Sequence, residues 1–215
     1  MQIPSLPRNA TVTASRWCLA IIFSMLLASC QMVHFSVPPT TAATGCDRAL
    51  IGAWSSNLDS DKDKPVDLDI DTDCRVQLSE NGRAGSPVQL HVAEWPGSEW
   101  RVVWLRIGDL PAMFASQSAQ PLNADDPLAL YPDDWMLLCY RTLSDKLYLR
   151  LMDPDFVKTG ITQDWLRGEI IGSGHRASLR IHAALANEPL VNPEIFCAIS
   201  DDVEPMFTRT TGATP

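Results

Sequence analysis

A serine and a histidine stand close together in the glycine-rich stretch Gly172–His175, where a hydroxyl could meet an imidazole. Nucleophilic catalysis needs a base within hydrogen-bond reach of the hydroxyl and a third group that orients the base. The Gly-x-Ser-x-Gly spacing of a nucleophile elbow does not occur in this stretch. The other histidines, His34, His91 and His182, are scattered along the chain. The pattern therefore predicts a turn here, and no enzyme.

Carboxylates alternate with other residues in Asp59–Asp63, a spacing with which a loop could present oxygen ligands to calcium. An EF-hand loop starting there would need glycine at position 64 and glutamate at position 70, where the chain has Lys64 and Ile70. Solvated charge in a turn explains the segment better, with a looser calcium site as the alternative. The adjacent carboxylates at 125–126, 133–134 and 201–202 are typical of turns and helix caps. We predict no metal, no cofactor and no catalytic residue.

Four cysteines remain for the folded domain once Cys18 and Cys30, which lie at the start of the chain, are set aside: Cys46, Cys74, Cys139 and Cys197. None has the C-x-x-C spacing of many zinc sites, so zinc is the weaker interpretation. An even number in an oxidising compartment predicts two disulfides, with three connectivities open. Strand pairing of residues that sum to 120 sets Trp54 against Val66. The same register favours Cys46 with Cys74, which leaves Cys139 for Cys197.

The first 29 residues have the layout of an export signal. Arg8 and Arg16 supply a basic start, and Trp17–Ala28 forms an apolar run. A helix needs about 20 residues to cross a bilayer, and this run has 12. The segment therefore predicts a removable signal rather than a permanent span.

The stretch Leu27-Ala28-Ser29-Cys30 resembles the bacterial lipobox. The resemblance implies that the signal is cut before Cys30 and that the Cys30 thiol carries a diacylglycerol, which anchors the protein to a membrane. An ordinary secreted protein is the alternative. An aspartate directly after the lipobox cysteine resembles an inner-membrane retention signal, but this chain has Gln31 at that position. We therefore expect the protein to lie at the outer membrane of a bacterial envelope, with its domain facing the periplasm.

Three parts organise the chain: the signal over 1–29, a lipid-anchored tether over 30–45, and one globular domain over 46–215. The tether is predicted from Pro38, Pro39 and Gly45 and from the few apolar side chains around them. Of the 17 basic residues only Arg8 and Arg16 precede Cys30, whereas all 26 acidic ones follow it, so the remainder carries a net charge of −11. Such a surface repels phosphate backbones, and nucleic acid is not expected as a partner.

Short alternating segments separated by turn residues dominate the domain. Residues that sum to 195 align Val92 with Val103 in one hairpin. Asp153-Pro154 predicts the start of a short helix that ends at Gly160. The predicted elements are strands at 50–54, 66–73, 88–95, 100–107, 135–140, 147–152 and 178–182, helices after 153 and after 192, and a long loop over 115–134.

These elements predict an α+β fold that is mainly antiparallel β, either a small barrel or a curled sheet with two or more short helices. The segment Leu50–Trp54 resembles the Gly-x-Trp opening of lipocalins. The resemblance implies a barrel in which Gly52 and Trp54 close one end, and a cavity that takes an apolar ligand.

Three tryptophans, Trp95, Trp100 and Trp104, fall on the side of their hairpin opposite to Val92 and Val103. They either form a binding surface or lie beneath the C-terminal helix. We expect a non-catalytic interaction module that docks on another envelope protein. A lipocalin-like barrel that holds a lipid or another hydrophobic ligand is the alternative.

Overall fold

The computed structural model describes residues 31–39, 45–56, 65–80, 82–95, 98–114, 127–173, 177–182, 197 and 204–210. The signal segment and Cys30 lie outside these residues, as does the predicted C-terminal helix apart from Cys197. Among the helices of the described residues, none is both long enough and apolar enough to cross a membrane.

Strands make up most of the regular structure of these residues. They are β1 Val33–Phe35, β2 Gly52–Ser56, β3 Val66–Ile70, β4 Arg75–Glu80, β5 Arg83–Ala84, β6 Val88–Gln89, β7 His91–Glu94, β8 Arg101–Arg106, β9 Trp135–Leu143, β10 Lys146–Leu151, β11 Gly168–Ile171, β12 Ser178–Ile181 and β13 Phe207–Arg209. The helices are α1 Leu110–Met113, which follows a 3-10 turn at Ile107–Asp109, α2 Pro127–Leu130 and α3 Pro154–Thr162.

The strands join in one curled sheet that is antiparallel at every pairing except that of β1 with β12. Its main path runs β11-β12-β1-β9-β10-β13-β2-β3-β4-β5. In addition, β6 pairs with β4, and β8 pairs with both β7 and β9. The predicted class, mainly antiparallel β with short helices, is confirmed in the form of a curled sheet.

Two apolar clusters lie on opposite faces of β8 and β9, because alternate residues of a strand point to opposite sides. The first cluster contains Trp104 and Cys139, together with side chains from β1, β12 and α3. The second cluster contains Val103 and Tyr140, together with side chains from β2, β3 and β4. Both faces of the central strands are therefore buried, which explains why their sequences are apolar at nearly every position.

The two central hairpins agree with the sequence. In the first, Val92 lies opposite Val103, as predicted, although β7 begins only at His91 and the earlier β6 pairs with β4 instead. In the second, β9 and β10 enclose the predicted turn, where Ser144 adopts a positive φ of 58°.

Helix α3 starts where the sequence predicts and ends two residues later. The Asp153 carboxylate caps it by accepting hydrogen bonds from the amides of Asp155 and Phe156. Gly160 is needed for close packing rather than as a stop, since a Cβ at this position would come within 2.8 Å of the Trp165 ring. The helix therefore continues to Thr162.

Both predicted disulfides are present, Cys46–Cys74 and Cys139–Cys197. The register used to derive the first is wrong by two residues: Trp54 pairs with Leu68 and not with Val66. A shift of two keeps the same side chains on the buried face. Cys74 instead reaches Cys46 from the β3–β4 turn, which the Asp71 carboxylate organises by accepting from the amides of Asp73 and Arg75.

The tether predicted over 30–45 is wrong for Val33–Phe35. These residues form β1, whose three side chains are all buried between β12 and β9. A Val-His-Phe segment is too short for alternation to identify a strand. The ordered fold therefore begins no later than Val33, well before Cys46.

Candidate functional site

A serine, a histidine and an aspartate meet where β1 joins the sheet. The parallel pairing of β1 with β12 aligns His34 with Arg180. Ser178 lies two residues before Arg180 on β12, and Asp134 immediately precedes β9. Strand β12 and the segment before β9 thus place polar side chains around the imidazole of His34.

The contacts follow the order of a catalytic triad. The Nε2 atom of His34 lies 2.8 Å from Oγ of Ser178, and its Nδ1 lies 2.7 Å from Oδ2 of Asp134. Arg180 donates to both oxygens of the same carboxylate, from Nε at 2.7 Å and from Nη2 at 3.0 Å. We call these four residues, Ser178, His34, Asp134 and Arg180, the His34 network.

Burial lowers the pKa of His34, although the hydrogen bond and the charge of Asp134 act in the opposite direction. Arg180 also disfavours the imidazolium and already neutralises Asp134. The ring is therefore neutral near pH 7. In one tautomer it satisfies both contacts: Nδ1–H donates to Asp134, and Nε2 accepts from the hydroxyl of Ser178.

A nucleophile must reach within about 3–3.5 Å of a substrate carbon. Ser178 is 1% exposed, His34 0% and Asp134 4%, so no acyl group can approach the hydroxyl in this conformation. The pairing of Asp134 with Arg180 further weakens the help that a triad carboxylate gives to an imidazolium. The geometry therefore supports a structural role, in which a satisfied polar network fastens β1 to the sheet.

The network continues to the surface at one side. The guanidinium of Arg180 lies 4.3 Å from the ring centroid of Tyr131 and contacts Glu169 at 3.4 Å. Glu169 also lies 3.4 Å from Nε2 of His182, whose Nδ1 is 3.1 Å from Oγ of Ser36. Polar contacts thus connect β1, β11 and β12 both in the buried His34 network and at the surface.

A pH dependence follows from the lowered pKa of His34. Below its ordinary value of 6.5, the unfolded chain takes up a proton that the folded network does not. The free energy of unfolding should therefore fall as the pH drops from 6.5, by up to about 1.4 kcal/mol per pH unit. Urea unfolding at pH 7.5, 6.5 and 5.5 measures this slope, which His34→Gln should reduce.

His91 also has a pKa lowered by burial, but it is common to both proteins and cancels in the comparison. The lowered pKa of Asp47 acts only near and below 3.8, outside the tested range. An NMR titration supplies a second readout, since the His34 ring should take up its proton only at a pH below its ordinary value of 6.5. Equal slopes for the two proteins, or a His34 ring that titrates at or above pH 6.5, would contradict the assignment.

The structure agrees with the prediction for the domain cysteines and disagrees with it for the tryptophans. The four domain cysteines are joined as predicted, whereas an exposed surface formed by Trp95, Trp100 and Trp104 is wrong: Trp100 and Trp104 are 4% and 1% exposed. Trp95 packs half-buried against the same first cluster. Side chains of β1 and α3 pack in that cluster with the tryptophans, whereas the predicted covering by the C-terminal helix lies outside the described residues apart from Cys197.

The His34 network escaped sequence reasoning. His34 falls in the predicted tether, and Asp134 belongs to a carboxylate pair that is typical of turns and helix caps. His175 and the whole Asp59–Asp63 segment lie outside the described residues. Among those described, no three His, Cys, Asp or Glu side chains gather as metal ligands.

The chain matches no protein-family model, no curated protein and no solved structure.

Proposed function

We propose that this chain is a lipid-anchored protein of the bacterial envelope whose domain is a non-catalytic interaction module. The observation that carries the proposal is the pairing of the four domain cysteines with one another. Disulfides persist in oxidising compartments, which is where an export signal would deliver the chain. None of these four cysteines is then available to Cys30, whose thiol is left for the lipid that the lipobox resemblance implies.

The position of β1 defines how the domain is held. Cys30 precedes Val33 by three residues, which span at most about 11 Å when fully extended. Under this proposal the anchor holds the β1 end of the sheet against the bilayer, and no long spacer separates them. The outer membrane, with the domain facing the periplasm, is the location that we propose.

The non-catalytic assignment rests on the burial of the Ser178–His34–Asp134 arrangement. A hydroxyl enclosed by the sheet supports folding and not acyl transfer. Docking on another envelope protein requires only a complementary surface, whereas catalysis requires reactive groups that a substrate can reach. We therefore place the interaction module before an enzyme.

Replacement of Cys30 by serine should abolish lipid attachment. Cells that express the wild-type chain and are fed a labelled fatty acid should label it, and Cys30→Ser should carry no label. Cys18→Ser is the matched control, because it removes another cysteine of the first 30 residues and should leave labelling intact. Equal labelling of wild type and Cys30→Ser would refute the anchor.

A lipocalin-like barrel that binds a hydrophobic ligand is the second candidate. What favours it is the packing at Trp54, which is fully buried and donates from Nε1 to the carbonyl of Leu50 at 2.8 Å. The guanidinium of Arg209, from the last strand, lies 4.2 Å from the Trp54 ring and donates to the carbonyls of Ile51 and Ala49. Such an end closure is what the Gly-x-Trp resemblance implies.

The second cluster weighs against this candidate, because Trp54 and Tyr140 occupy the inner face of the sheet together with other buried side chains. Mass spectrometry of lipids that copurify with Cys30→Ser separates the two functions. A stoichiometric lipid on the unanchored protein supports the barrel, and its absence supports the interaction module.

A further inference from the structure

A polar cleft of about 330 Å³ opens at the end of β9 farthest from the His34 network. Its walls come from the segment before β2, the start of β8 and the last residues of β9. The charged side chains that line it are Asp47, Arg48, Glu99, Arg101 and Arg141. Cationic side chains thus outnumber acidic ones here, in a chain whose net charge is −9.

The floor of the cleft is a fixed ion pair. Asp47 accepts from the amide of Ala49 at 2.9 Å and from the hydroxyl of Tyr140 at 2.8 Å, and it pairs with Arg101. Burial raises the pKa of Asp47, but these hydrogen bonds outweigh burial and keep the pKa below its usual value. Asp47 is therefore a carboxylate whose charge is already balanced by Arg101.

Two aromatic rings hold the guanidinium of Arg141 in place, but its hydrogen-bond donors lack partners among the described residues. Its guanidinium lies 5.1 Å from the ring centroid of Trp100 and 5.0 Å from that of Tyr148. Its Nη1 approaches Glu99 only to 3.7 Å, and its buried Nε has no hydrogen-bond partner. Within the described part of the chain, this guanidinium makes no hydrogen bond. The two rings fix its position, and 30% of the side chain is exposed.

Arg48 adds a second cation at the rim. It is exposed and forms no ion pair with any described residue. A positioned guanidinium binds carboxylate and phosphate groups by paired hydrogen bonds, whereas a freely moving one must first be ordered. The volume lies at the lower end of the range for small-molecule sites.

We propose that this cleft binds a small molecule through a compact anionic group, a carboxylate or a phosphate, which Arg141 receives and Arg48 helps to attract. The site is independent of the lipid anchor and of the His34 network. It stands whether or not Cys30 is acylated, because none of its residues belongs to either.

Calorimetric titration of the full-length protein with inorganic phosphate and, separately, with succinate tests the site. At least one anion should bind at low ionic strength, and Arg141→Gln should weaken that binding by about 10- to 100-fold, as expected for a charge-assisted hydrogen-bonded pair. Binding of phosphate alone or of succinate alone would assign the anion class. Binding of neither would overturn the proposal.

Two further variants keep the test decisive even if Arg141→Gln disturbs the packing of Trp100. Arg48→Gln changes an exposed side chain and should weaken binding by about two- to fivefold with unchanged thermal unfolding. Arg83→Gln is the matched control, since it removes one exposed arginine from β5, outside the cleft, and should bind as the wild type does. Equal affinity in the wild type, Arg48→Gln and Arg141→Gln would show that the anion binds elsewhere, and the proposal would fail.

Discussion

Replacing Asp134 with alanine should lower the free energy of unfolding by about 3–5 kcal/mol, because it leaves the buried His34 and the partly buried Arg180 without their acceptor. His34 loses the contact of 2.7 Å at Nδ1, and Arg180 loses both of its bonds to the carboxylate. Arg180 then keeps its contact of 3.4 Å to the Glu169 carboxylate and its position over the Tyr131 ring. A domain with a total stability of about 5–15 kcal/mol would lose a large share of it.

The neighbouring carboxylate supplies the control. The side chain of Asp133 is 89% exposed and lies 3.2 Å from Arg106, an ion pair of the exposed kind. Asp133→Ala should therefore change stability by less than about 1 kcal/mol. Urea unfolding of both variants with the disulfides intact gives the comparison. If the two variants unfold at the same urea concentration, the His34 network does not hold β1.

Local patterns in this chain predict local structure well. The β7–β8 and β9–β10 hairpins are each formed by segments close in sequence, and alternation of apolar residues fixes which side chains share a face. The start of α3 follows from Asp153 and the proline after it, since the cap needs only backbone amides two and three residues away.

Longer loops weaken such reasoning. The predicted pairing of β2 with β3 differs from the observed one by two residues. The connection between these strands is long, and a pairing shifted by two residues buries the same face. That displaced register nevertheless predicts the Cys46–Cys74 disulfide correctly. The agreement arises because Cys74 lies in the β3–β4 turn, close to the segment that carries Cys46.

The His34 network could not be derived from spacing. His34 is separated by 100 residues from Asp134 and by 144 from Ser178. Their meeting depends on the parallel insertion of β1 beside β12, and a three-residue strand has no period to detect. Because both faces of the central strands are buried, their sequences are apolar on both sides. Such a sequence does not distinguish an exposed aromatic surface from a covered one.

Trp104→Ala should destabilise the domain by about 3–5 kcal/mol, as expected for truncation of a fully buried large aromatic side chain. Trp104 is 1% exposed at the centre of β8, and its ring stacks on His91 with centroids 5.9 Å apart. Leu143→Ala is the control, because Leu143 is 57% exposed and its truncation should shift stability by less than about 0.5 kcal/mol. Thermal and urea unfolding of both variants measure the difference. A Trp104→Ala protein as stable as Leu143→Ala would mean that this side of the hairpin is free for a partner, and that the covering by β1 and α3 is incorrect.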